Sequence, residues 1–145
     1  MLIADAAEKK AKGQRIFDEY DDTVYADFAS FALAKAAISA GDTAAAGKQL
    51  QQVIDRAGDA AVVDIARLRL ARVLLDQGKG AEAQSLLDAV ESPSYGGEVH
   101  ALRGDIALAA GDKAKARDAY HKALRSKLVN EELLKLKLDN LAVTN

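Results

Sequence analysis

The side chains in this chain best suited to moving protons or holding a metal near neutral pH are two histidines, His100 and His121. They are too far apart in sequence for HxxxH spacing, and no third ligand accompanies them, so no zinc site is assembled. Cysteine is absent, which removes disulfides and thiolate ligation. No serine occupies a G-x-S-x-G elbow, and Ser-His-Asp roles cannot be assigned. Glu131-Glu132 is a pair of adjacent acids, yet after Asn130 it reads as a helix start, where carboxylates meet the positive end of the dipole. Gly96-Gly97 lacks the Lys-Ser or Lys-Thr that follows in a phosphate loop. The expectation is a protein without catalytic residues, metal or cofactor. The rival from a different class is a hydrolase or metalloenzyme on a helical scaffold, which metal analysis of His100 and His121 variants would reveal.

The elements that carry these residues follow from composition. Of 145 residues, half are apolar but only 5% are aromatic, and Pro93 is the single proline. A core made of Ala, Leu, Val and Ile suits close-packed helices better than sheets. Twenty basic and 22 acidic residues give a net charge of −2, interspersed and without a basic stripe, which argues against nucleic acid as a partner. No apolar run reaches the ~18 residues of a membrane span. Met1-Leu2-Ile3 runs at once into Asp5, Glu8 and Lys9, unlike a signal peptide. The chain opens inside a helical pattern, which is compatible with an anchor upstream.

Hydrophobic spacing predicts eight helices in one domain. The first carries Ile3, Ala7, Ala11, Ile16, Phe17 and Tyr20, with Gly13 as a candidate break and Asp21-Asp22-Thr23 as cap chemistry for the second. Helical stretches then stop at Gly41, Gly78 and Gly111, which are 37 and 33 residues apart. Glycine reaches the left-handed conformation that ends a helix, and Asp42 and Asp112 follow as caps for the next one. Gly78-Lys79-Gly80 has no acidic cap, so its turn is expected to be the loosest. Ser92-Pro93 reads as a cap followed by proline at the first helical position, with Glu98 as the start of the sixth helix proper. The last helix opens at Asn130 and carries a stripe of Leu134, Leu138 and Leu141, widened by Leu133 and Leu136.

A period near 34 residues is that of stacked helix-turn-helix units. Seven residues before each turn glycine stand Ala34, Ala71 and Gly104; five after it stand Ala46, Ala83 and Ala116; nine after, Leu50, Leu87 and Tyr120; twelve after, Val53, Val90 and Ala123. This alternation of small and large residues resembles the tetratricopeptide repeat. The aromatic that the family favours eleven residues before the glycine is replaced by Ser30, Arg67 and His100. The fold expected is an all-α, tetratricopeptide-repeat-like right-handed solenoid. It divides into an N-terminal helix and linker (1–22), repeats at 23–58, 59–91 and 92–128, and a capping helix at 129–145. By the repeat pattern the concave face carries Phe28, Phe31, Lys35 and Ile38 from the first unit, Ile65, Leu68, Arg72 and Leu75 from the second, and Glu98, Ala101, Asp105 and Leu108 from the third. Such a face is apolar at one end and charged at the other, and an apolar patch of this kind marks a partner site. Phe28 and Phe31 either line an open groove or pack against a terminal helix. Arg103 either clamps a ligand or pairs with a nearby acid.

A further resemblance covers about Gln14 to Val143. It rests on Tyr25-Ala26-Asp27-Phe28-Ala29-Ser30 with Leu33-Ala34, Lys48-Gln49-Leu50-Gln51-Gln52, Leu68-Arg69-Leu70-Ala71-Arg72-Val73, Leu102-Arg103-Gly104-Asp105, Gly111-Asp112-Lys113 with Ala116-Arg117, and Leu136-Lys137-Leu138-Asp139-Asn140-Leu141. In this order the segments resemble the periplasmic domain of the YfgM family, ancillary subunits of the bacterial SecYEG translocon. The resemblance implies a non-catalytic scaffold held at the inner membrane by an anchor that this chain does not include, facing the periplasm. It implies as partners the SecYEG translocon, the membrane-anchored chaperone PpiD and nascent secreted polypeptides. The alternative within the same class is a soluble cytoplasmic tetratricopeptide-repeat adaptor.

Overall fold

The computed structural model describes residues 2–19, 24–126 and 129–143. Among these, secondary structure is all helical: α1 (Leu2–Glu19), α2 (Val24–Ser39), α3 (Thr43–Arg56), α4 (Ala60–Asp76), α5 (Gly80–Asp88), α6 (Gly96–Ala109), α7 (Lys113–Leu124) and α8 (Glu131–Val143), with one 3₁₀ turn at Pro93–Tyr95 before α6. The cap expected at Asp21-Asp22-Thr23 lies outside the described residues, as do the side chains of Ile3, Ile16, Phe17 and Tyr20.

The three turn glycines behave alike. Gly41, Gly78 and Gly111 have φ of 77°, 76° and 83°, and no other described residue has positive φ. In each turn the amide just past the glycine donates back to a carbonyl five residues earlier: Asp42 to Ala37 at 2.8 Å, Lys79 to Leu74 at 2.8 Å, Asp112 to Ala107 at 2.9 Å. A side chain at the glycine would be strained by that backbone conformation. The next helix is capped where an acid comes after the glycine. Asp42 accepts from the Ala45 amide at 2.9 Å and Asp112 from the Lys115 amide at 3.0 Å, whereas Lys79 makes no side-chain cap. Asn130 accepts from the Leu133 amide at 3.0 Å and starts α8 as the sequence predicts.

The chain gathers into two compact units, 1–73 and 74–145. In the first, α1 packs on α2 and α2 on α3, and Leu70 of α4 lies 3.6 Å from the Cβ position of Gly47. Ala26, Ala34, Ala46, Leu50, Val53, Ala66 and Ala71 are almost wholly buried there. Gly13 does not break α1. It is buried, and a Cβ there would stand 3.3 Å from Leu33, so glycine sits where α1 crosses α2 closely.

In the second unit α6 packs on α5 and α7, and α8 closes on α7. Ala107, Ala116, Tyr120 and Ala123 form one cluster with Leu134 and Leu141 of α8, with Ala101 and Leu138 against it. Leu133 and Leu136 do not widen that stripe; both are exposed. The helical pattern resumes at Gly96 rather than Glu98. Gly97 is needed for its missing side chain: a Cβ would come within 2.6 Å of Ser126 and Val129. Gly104 is the same case, since a Cβ would stand 2.3 Å from the Tyr120 ring.

Candidate protein-binding surface

α2 is apolar on nearly every side. Its buried face uses Ala26, Ala29, Leu33 and Ala34, while Val24 (57%), Tyr25 (71%), Phe28 (62%) and Ile38 (50%) are exposed. A helix without a polar stripe ordinarily has protein on both sides. It also buries two polar side chains, Asp27 and Ser30. The Ser30 hydroxyl, fully buried, has no hydrogen-bond partner among the described residues. Burial pushes the Asp27 carboxyl above its usual range against the opposing pull of Arg56.

The residues expected on the concave face fall into three environments. Phe28, Lys35 and Ile38 are exposed on α2, and Arg72 is exposed on α4. Phe31 is half-buried under Arg69 of α4, whose guanidinium carbon lies 4.7 Å from the ring centroid. That contact fixes the ring and keeps a cation beside it. Ile65 is half-buried, but Leu68, at 3% exposure, is a core residue rather than a contact residue. In the second unit Leu75 and Glu98 are half-buried and Leu108 is exposed.

Asp105 is not a surface acid awaiting a ligand. Its carboxylate accepts the Tyr120 hydroxyl at 2.6 Å and Lys137 Nζ of α8 at 2.8 Å, and the same ammonium lies 5.6 Å from the Tyr120 ring centroid. Burial and this carboxylate together push the Tyr120 phenol up from its usual value, so it stays a hydrogen-bond donor. The triad ties α6, α7 and α8 together.

Two arginines are similarly engaged. Arg103 reaches Asp88 of α5 at 2.8 Å, the pairing reading of this residue, and Arg67 reaches the buried Asp64 at 3.1 Å. His100 is half-buried; burial and the charges of Arg103 and Lys122 lower its pKa. His121 is exposed, and no group of three or more potential metal ligands exists among the described residues.

Sequence reasoning missed Tyr25, and with it a cleft between α1 and α2 lined by Tyr25, Phe28, Ala32 and Ala36 on one side and by lysines on the other. The signal was present in the near absence of polar residues from α2, where only Asp27, Ser30, Lys35 and Ser39 interrupt the apolar run.

Paired helices closed by left-handed glycines, with small residues at each crossing, define a helical-hairpin repeat protein. Residues 3–143 match the tetratricopeptide repeat-like domain family, and the chain belongs to that family. It is also similar to the ancillary SecYEG translocon subunit of Haemophilus influenzae, at 33% identity over 138 residues, covering 94% of this chain and 68% of that protein. No solved structure matches. Among the described residues, no helix is long and apolar enough to cross a membrane.

Proposed function

We propose that this chain is the periplasm-facing domain of an ancillary Sec translocon subunit, a non-catalytic platform that links polypeptide export to periplasmic chaperones. The observation that carries the protein-binding part is the exposed apolar face of α2, with Tyr25, Phe28 and Ile38 beside the exposed Lys35 and the half-buried Phe31; Ile65, half-buried, and Arg72, exposed, are the α4 residues proposed to join it. An exposed apolar strip with basic residues beside it suits loose capture of varied polypeptide segments more than a single shaped ligand. The likeness to the Haemophilus subunit supports the setting at the translocon.

The mechanism is passive. Attachment at the membrane raises the local concentration of a chaperone such as PpiD near emerging chains, so weak contacts suffice. Burying about 400 Å2 of apolar surface contributes about 10 kcal/mol before the costs of association and ordering. The test is crosslinking followed by affinity capture of the full-length gene product from membranes. Recovery of translocon subunits together with a periplasmic chaperone is expected. Recovery of cytosolic proteins alone would overturn the assignment in favour of a cytoplasmic adaptor.

A further inference from the structure

We infer that the cleft between α1 and α2 receives an acidic amphipathic helix from a partner protein. This deepens the reading of the chain as a docking platform and rests on it. The cleft is open, with a volume of about 440 Å3. At its floor Gly13 faces Leu33 with no side chain between them, since a Cβ at Gly13 would stand only 3.3 Å from the Leu33 side chain. Along the α2 wall Tyr25, Phe28, Ala32 and Ala36 recur at spacings of three and four, giving one continuous apolar row. At 1.5 Å per residue this row is about 17 Å long, three turns of a docked helix.

The opposite rim is basic. Lys9, Lys10 and Lys12 of α1 line it, and no carboxylate among the described residues does. Glu8 neutralises part of this charge by pairing with Lys12 at 2.7 Å, but that pair is exposed and exchangeable. A helix with leucines in the trough and glutamates along one flank matches both walls, and the lysine row selects it over a basic helix. A bilayer surface is less well matched, because the apolar floor at Gly13 and Leu33 is recessed between two helices.

The experiment is fluorescence anisotropy of the whole chain with a labelled helical peptide of about 16 residues, long enough to span the trough. The peptide carries leucines at i, i+3, i+7 and i+11 with glutamates on one flank, and its counterpart has lysines in their place. The acidic peptide should bind at least about tenfold more tightly than the basic one at low salt and lose that advantage near 1 M, where screening is short-ranged. Phe28→Ser should weaken binding about tenfold with an unchanged helical circular-dichroism signal, since the ring is exposed. Lys10→Glu with Lys12→Glu should invert the charge preference. Equal binding of both peptides, or no response to Phe28→Ser, overturns the proposal. So does binding only to phosphatidylglycerol vesicles, or a self-association that Phe28→Ser abolishes, which would assign the cleft to lipid or to a second copy. Peptide binding without capture of any translocon subunit from membranes would retain this site and reject the translocon assignment.

Discussion

The two units carry the same register of helical positions to opposite ends. Six residues before its turn glycine, α2 presents Lys35 to solvent, while α6 presents Asp105 to Tyr120 and Lys137. Ten residues before, Phe31 lies under Arg69, while Ala101 packs against a cluster that includes Leu134 and Leu141 of α8. The crossing beneath differs as well. The corresponding positions in the first unit are the buried Ala34 and Leu50, whereas in the second Gly104 leaves room for the Tyr120 ring. An array of repeats needs its last hydrophobic face covered. The second unit covers it with its own C-terminal helix and a polar triad, and the first leaves an apolar helix face outside. A repeat position thus acquires its role from the helices that pack over it, not from the repeat pattern alone.

Substitutions that exchange the two arrangements should show this, and the largest effect is expected at the glycine–tyrosine crossing. Gly104→Ala places a Cβ against a fully buried ring and should cost about 3 kcal/mol or more in urea unfolding. Adding Tyr120→Leu restores the alanine–leucine pairing of the other repeats, so the double variant should be more stable than Gly104→Ala alone. Tyr120→Phe removes the hydroxyl that Asp105 accepts but leaves Lys137 in place, and a loss of about 1.5 kcal/mol is expected.

A smaller effect is expected from pH. His100 has a folded-state pKa below its ordinary 6.5, through burial first and then Arg103 and Lys122. The unfolded chain therefore binds this proton more readily, and stability should fall as pH drops below about 6.5. His100→Gln should flatten that part of the profile relative to the unsubstituted chain. The smallest effect on stability belongs to the open face: Phe28→Ser should change unfolding by no more than about 0.5 kcal/mol. A large loss there would mean that the ring is part of the core and that the contrast between the units fails.

Much of this architecture can be read from residue types. Glycine followed by aspartate at 41–42 and 111–112 marks the turns because only glycine enters the left-handed region without strain. Ala46, Ala83 and Ala116, all fully buried, mark the crossings by size. Glycines used for space are harder to read. Gly13 and Gly97 look like breaks because sequence does not distinguish a residue chosen for backbone freedom from one chosen for its missing side chain. The candidate surface is legible in part. Phe28, Lys35 and Ile38, which the repeat pattern assigns to the concave face, are exposed. Asp105 follows the same register, yet its fate depends on Lys137, 32 residues away on another helix. Leu68 shows the remaining limit, since apolar residues on one helix face look the same whether the next layer is protein or water.

The most direct measurement is site-specific photocrosslinking in membranes containing the full-length protein, with the photoreactive residue placed either at Phe28 on α2 or at Leu136 on α8. Both sites are exposed and apolar, so they differ in surroundings rather than accessibility. Position 28 should capture translocon or chaperone polypeptides and position 136 should not. Capture from 136 with none from 28 would contradict the claim that the first unit holds the binding face.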